Sequence, residues 1–215
     1  TSVLTQSRAI SQGAVKSFEF TTGQGNWSRS GTLRVRYTDD ARGTRPPRLF
    51  LKMVDTNAGD GEYFGDSEVT YYTRDYLTLK NAPLLRCYSA EYSKELNRYH
   101  VLLDDVSETH IDAAKKEPTL AYGLALAEGM AALHAHWWGE ERLAAALAPI
   151  HDASHIQRFV DIAEPGVAHI LEQFSHELKP HWPSTLRDIY DHHPTIMVER
   201  TREPNGFTLI HGDPG

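Results

Sequence analysis

The chain has 215 residues, 40% of them hydrophobic and 10% aromatic, which is enough for a sizeable core and excludes disorder over most of the length. Its 22 Lys and Arg against 29 Asp and Glu leave a formal net charge of −7 with no long basic run, so neither nucleic acid nor an anionic membrane is an expected partner. The single cysteine, Cys87, permits no intramolecular disulfide and no thiolate metal cluster; with no legible signal peptide or membrane span, the expected location is cytoplasmic.

The first hundred residues predict strands around one helix. Residues 15–20 form a short strand candidate, and Gly23-Gln-Gly-Asn a turn. Residues 32–37 alternate Thr, Leu, Arg, Val, Arg and Tyr with the period of two of a half-buried strand. A loose loop over 39–47 leads to a third strand over 49–54, and a turn-rich stretch over 55–61 follows. Val69, Tyr72 and Tyr76 then recur at helical spacing over 67–79, ended by Pro83. Two more strands are predicted at 84–88 and 99–103.

Beyond Asp104-Asp105 the pattern becomes helical. Residues 119–138 are apolar round most of the helix, which predicts a core helix. Helices are also predicted over 156–178, interrupted near Pro165, and over 184–192, stopped by Pro194. Phe207-Thr-Leu-Ile is a short strand-like run before His211-Gly-Asp-Pro-Gly.

Several of these residues have chemistry to offer. Lys52 lies within the apolar run Leu49-Phe-Leu-Lys-Met-Val, where a lysine either reaches solvent from an edge or is held by a carboxylate. Glu68, opening the next helix, is a carboxylate that a strand–helix pair could bring beside it, or simply a favourable charge near a helix N-terminus. Gly23 and Gly25 allow close backbone approach, and Asn26, Ser28 and Ser30 supply donors, as a flap over phosphates requires; a plain hairpin turn explains the same residues. No Lys-Ser/Thr pair follows, which disfavours a P-loop. Asp213, one glycine after His211, is either a turn residue or a carboxylate projecting from a tight turn, where accepting a substrate hydroxyl proton is worth about 10²–10⁴ in rate. The twelve histidines contain no H-E-x-x-H, and His134, His136, His151 and His155 lack the third ligand zinc needs, so no metal site is assigned.

In order along the chain, these segments resemble the aminoglycoside phosphotransferase and choline kinase superfamily, most closely its ecdysteroid-kinase-like small-molecule kinases. Gly23-Gln-Gly-Asn-Trp-Ser-Arg-Ser with Leu33-Arg-Val-Arg resembles the phosphate flap, Leu49-Phe-Leu-Lys52 the third-strand lysine, and Glu68-Val-Thr-Tyr-Tyr the helix carrying its glutamate partner. Leu102-Leu-Asp-Asp-Val106 resembles the hinge, the helix ending in His134-Ala-His-Trp-Trp the long helix of the second lobe, and Ile210-His-Gly-Asp213 the start of the catalytic loop.

The resemblance implies an α+β, protein-kinase-like two-lobed fold: an antiparallel sheet with one helix over 1–103, a hinge at 104–106 and a partial helical lobe over 107–215. It implies an ATP- and Mg²⁺-dependent phosphotransferase acting on a hydroxyl of a small-molecule alcohol. Asp213 would be catalytic and His211 a scaffold of the catalytic loop. Gly23, Gly25, Asn26, Ser28, Ser30, Lys52, Glu68, Leu103, Asp104 and Val106 would meet ATP. The metal-binding Asn and Asp of such kinases follow the catalytic Asp; neither stands in this sequence, so the chain is expected to be the N-terminal part of a longer enzyme, inactive alone. The competing readings are an aminoglycoside or macrolide kinase and a non-catalytic nucleotide-binding module. Acceptor identity and oligomeric state are not legible.

Overall fold

A computed structural model describes residues 1–24, 28–56, 66–111, 115–141, 143, 152–202 and 206–210. They divide into two compact units that meet in sequence between Leu133 and His134. The first unit thus runs beyond the expected hinge at 104–106 and takes in most of the long helix, where Gly129 lies against the Pro83 ring.

The chain opens with a helix, α1 (Ser2–Gln6), and the strands β1 (Ile10–Gln12), β2 (Val15–Gln24), β3 (Ser28–Tyr37), β4 (Arg42–Gly43) and β5 (Arg48–Asp55). One turn of helix, α2 (Ser67–Thr70), continues as a π-helical turn over Tyr71–Asp75, before β6 (Cys87–Ser93) and β7 (Arg98–Asp104). Five strands form an antiparallel sheet in the order β2-β3-β5-β7-β6, while β1 and β4 make a separate pair. The architecture of the described residues is therefore α+β, with an antiparallel sheet and several helices.

The period-two pattern of β5 gives the sheet its two faces. Leu49 points into a cluster with Leu4, Ala9, Ile10 and Tyr88, against which Val15, Leu33, Val35 and Tyr37 pack. Phe50 and Val54 face the opposite way, toward Val69, Tyr99, Val101 and Leu103, with Tyr72 and Cys87 at the margin. Val101 and Leu49 are 0% and 2% exposed, and burying an aliphatic side chain so completely contributes about 1.5–3 kcal/mol.

The N-terminal helix and the β1–β4 pair have no counterpart in the sequence expectations, because both are short and owe their order to tertiary contact. Gly43, in the expected loop over 39–47, has φ +117°, and a Cβ there would stand 2.4 Å from the Ala9 carbonyl oxygen. Only glycine lets β4 come that close to the chain before β1. The strand expected at 84–88 begins later, at Cys87, and Gly23 belongs to β2 rather than to a turn.

Helix α3 (Leu120–Trp137) spans the boundary between the units. Its expected burial is realised near its end, at Leu133 and Trp137, whereas Leu120 and Leu124 are 81% and 58% exposed. Gly139, at φ +67°, takes the left-handed conformation that commonly follows a helix end, and its N–H donates to the Phe207 carbonyl.

In the second unit, α4 (Ala153–Gln173) packs against α5 (Trp182–Arg200). Asp152 caps α4 by accepting the His155 N–H at 3.0 Å. Both helices run through the prolines expected to break them. Proline removes the hydrogen bond to the carbonyl four residues earlier; for Pro165 that is the carbonyl of exposed Asp161, which water can satisfy. The strand expected over 207–210 is not formed: Thr208 instead donates its hydroxyl to the His134 carbonyl at 2.6 Å, and these residues join no ladder among the described strands. No helix among the described residues is long and apolar enough to cross a membrane.

Candidate functional site

The first unit's chemistry gathers around Lys52. Its register on β5 places it opposite Ser30 of β3 and Val101 of β7, and Ser30 lies opposite Gly23 of β2. Gly23, Ser30, Lys52 and Val101 therefore form one row across the sheet, with Ser28 two positions along β3 and on the same face. A Cβ on Gly23 would lie 3.4 Å from the Ser30 carbonyl oxygen, in ordinary van der Waals contact.

Lys52 Nζ stands 2.8 Å from Glu68 Oε2, so the carboxylate that opens α2 meets the lysine of the neighbouring strand directly. The side chains are 32% and 26% exposed: shielded enough to be held, open enough to meet a ligand. Tyr99 of β7 donates its hydroxyl to the same Glu68 oxygen at 2.7 Å. Burial raises the Tyr99 phenol far above its ordinary range, and its hydrogen bond to Glu68 pushes the same way, so it acts as a neutral donor. Tyr72, beside it, is raised by burial first and by the Glu68 charge second. The Cys87 thiol is raised by burial as well, which makes it an inert packing group.

A second cluster follows β7. The Asp105 side chain is only 2% exposed. It accepts the Thr32 hydroxyl at 2.6 Å, the Ser107 backbone N–H at 3.0 Å, and Arg48 through Nε and Nη2 at 3.3 and 3.1 Å. Burial pushes this carboxyl up, but hydrogen bonds from Ser107, Thr32 and Arg48 outweigh it and hold the group well below the usual carboxylate range. Arg48 also pairs with Glu108 and reaches the Ser107 hydroxyl at 2.9 Å.

Of the residues expected at the hinge, Leu103 is buried in the ladder between Phe50 and Cys87. Asp104 ends β7; its N–H donates to the Arg86 carbonyl at 3.0 Å, and its carboxylate receives the Tyr88 hydroxyl. The Val106 carbonyl accepts from the N–H groups of Thr109 and His110, while no hydrogen bond among the described residues engages the Val106 N–H. Gly25, Asn26, His211 and Asp213 lie outside the described residues.

Sequence reasoning missed Tyr99 and the Thr32–Arg48–Asp105 cluster. Tyr99 was accessible in principle, because the alternation of β7 puts it with Val101 and Leu103 on the face that carries Lys52. Among the described residues no group of three or more His, Cys, Asp or Glu side chains could hold a metal ion. No family model matches the chain, and no curated protein or solved structure is detectably similar to it.

Proposed function

We propose that the chain is part of an ATP-dependent phosphotransferase with a kinase-like two-lobed fold, acting on a hydroxyl of a small-molecule alcohol. The observation that supports this reading most is the Lys52–Glu68 pair: a strand lysine fixed at 2.8 Å by a helix carboxylate, with Tyr99 holding the same oxygen. The donor set fits a nucleotide. A partly exposed lysine on a sheet face whose strand row carries Gly23 and Ser30 offers charge, hydroxyl and close backbone approach, the elements that phosphate groups require.

In this reading each residue has a separate task. Lys52 binds the phosphates as a fixed charge, and Glu68 keeps its ammonium from swinging into solvent. Tyr99 orients Glu68 without adding charge. Ser28 and Ser30 supply donors along the phosphate row, and Val106 presents its backbone to adenine. Asp213, by its resemblance to the catalytic aspartate, accepts the acceptor's hydroxyl proton as the new oxygen–phosphorus bond forms and the bond to ADP breaks. Mg²⁺ bound with ATP supplies charge neutralisation on the phosphates; no described residue is assigned to it.

The test is nucleotide binding. A ligand at about 100 times its dissociation constant stabilises the bound fold by roughly 2.7 kcal/mol, so thermal unfolding with increasing Mg·ATP reports affinity directly. The reading expects an ATP-dependent rise in unfolding temperature that is largely lost in Lys52→Met. An unchanged unfolding temperature in the wild-type chain at millimolar Mg·ATP, or an equal rise in Lys52→Met, counts against it.

A further inference from the structure

We propose that Asp105 is the positioning residue for adenine: it holds the Val106 backbone in the orientation that receives the base, and so contributes to nucleotide affinity without touching the nucleotide. This rests on the nucleotide-binding reading above and deepens it.

The Asp105 carboxylate joins its own turn to two strands of the sheet. By accepting the Ser107 N–H at 3.0 Å it closes a three-residue turn, 105–107, with Val106 at its centre. By accepting the Thr32 hydroxyl and the Arg48 guanidinium it fastens that turn to β3 and to the first residue of β5. The Val106 carbonyl is also occupied, since it receives Thr109 and His110. Among the described residues the Val106 N–H is left with no partner, on a backbone whose neighbours on both sides are fixed. An unengaged N–H on a partly buried residue, in a turn held from both sides, is a donor available to an acceptor from outside the chain, and a ring nitrogen of adenine is such an acceptor.

Two details make Asp105 more than a strut. The carboxylate is 2% exposed, and each of its hydrogen bonds either closes the 105–107 turn, as the Ser107 N–H does, or fastens that turn to β3 or β5, as Thr32 and Arg48 do. Thr32 of β3 also lies opposite Phe50 of β5, which stands two residues before Lys52 on the same face. The turn and the lysine are thereby referenced to the same two strands, so a shift of one relative to the other changes the span between the base-binding and phosphate-binding ends.

The experiment compares two probes, ATP and inorganic triphosphate, on the wild-type chain and on Asp105→Asn, Thr32→Val and Lys52→Met. The triphosphate meets only the phosphate end; ATP meets both. Asp105→Asn and Thr32→Val are expected to weaken ATP about tenfold, equivalent to about 1.4 kcal/mol, while changing triphosphate affinity by less than about twofold. Lys52→Met should weaken both. If ATP affinity in both Asp105→Asn and Thr32→Val matches the wild type, the proposal is overturned while the nucleotide reading stands. A parallel loss of ATP and triphosphate in those variants overturns it too, because it reports general loosening of the sheet. Failure of the wild type to bind either probe instead removes the nucleotide reading itself.

Discussion

Tyr99 donates its phenol to the Glu68 oxygen that also faces Lys52, at 2.7 Å and 2.8 Å respectively. One carboxylate oxygen thus couples the sheet to α2 through a neutral donor and a cation. The neutral donor matters because it constrains the carboxylate without competing for its charge.

Removing that donor has a foreseeable effect. Tyr99 is 7% exposed, and a hydrogen bond to a charged group contributes about 1.5–3 kcal/mol. Tyr99→Phe should therefore lower unfolding stability by about 1.5–3 kcal/mol in denaturant titrations, with no packing loss added because the ring's burial is retained. The raised phenol gives an alkaline signature as well. A group whose folded-state pKa exceeds its unfolded value stabilises fully below the unfolded value, about 10, and loses that contribution as pH rises through the folded one. The stability gap between wild type and Tyr99→Phe should narrow above about pH 10. A gap that widens with pH would show that the phenol is not held neutral.

The Lys52–Glu68 pair should show measurable coupling. Exposed pairs contribute about 0–1 kcal/mol and breaking a buried pair costs about 3–5; a pair 32% and 26% exposed belongs between these limits. A double-mutant cycle with Lys52→Met and Glu68→Gln should return about 1–2 kcal/mol of coupling in stability. Additive single-variant effects would mean that the two side chains do not interact in solution.

How much of this was legible in sequence depends on which contacts are local. The alternation over 32–37 and the apolar run over 49–54 located β3 and β5, because a half-buried strand writes its period into its own residues. Lys52 stood out by violating that apolar run, and Glu68 by opening the next helix. The β1–β4 pair left no such trace: it is held by the approach of Gly43 to the Ala9 carbonyl, a relationship between positions far apart in sequence. Asp105 stood in the hinge-like run Leu102-Leu-Asp-Asp-Val106, but its own role was not legible, for the same reason. Its significance comes from Thr32 and Arg48, which only the β3–β5–β7 register brings to it. The prolines failed in the opposite sense, since a strong local signal was overridden by helices packed against each other.

Asp105 also predicts an acid response. Its carboxyl is held low in the folded chain, so its contribution to stability is present above the unfolded value, about 4, and is lost as pH falls through the folded one. Asp105→Asn removes the titrating group. The stability difference between wild type and Asp105→Asn should be greatest near neutral pH and shrink below about pH 4 in denaturant titrations at successive pH values. A difference that stays constant down to pH 2, or grows, would show that the hydrogen bonds of Asp105 do not favour its ionised form.

Pro165 tests whether the second unit is held by helix packing rather than by helix propensity. It lies inside α4, is exposed, and deprives the Asp161 carbonyl of its intrahelical donor. Proline in a helix interior costs about 3 kcal/mol relative to alanine, through the lost hydrogen bond and the clash with the preceding turn. An exposed site in a helix that already accommodates the ring should return part of that cost when the ring is removed. Pro165→Ala is therefore expected to stabilise the second unit by about 1–2 kcal/mol, visible as a later loss of helical circular dichroism in a denaturant titration of the whole chain. Asp161 and the rest of the exposed face should tolerate the change, because an alanine Cβ occupies space the ring already fills. If Pro165→Ala is neutral or destabilising, the ring makes contacts that offset its backbone cost, and the continuity of α4 depends on the proline rather than surviving in spite of it.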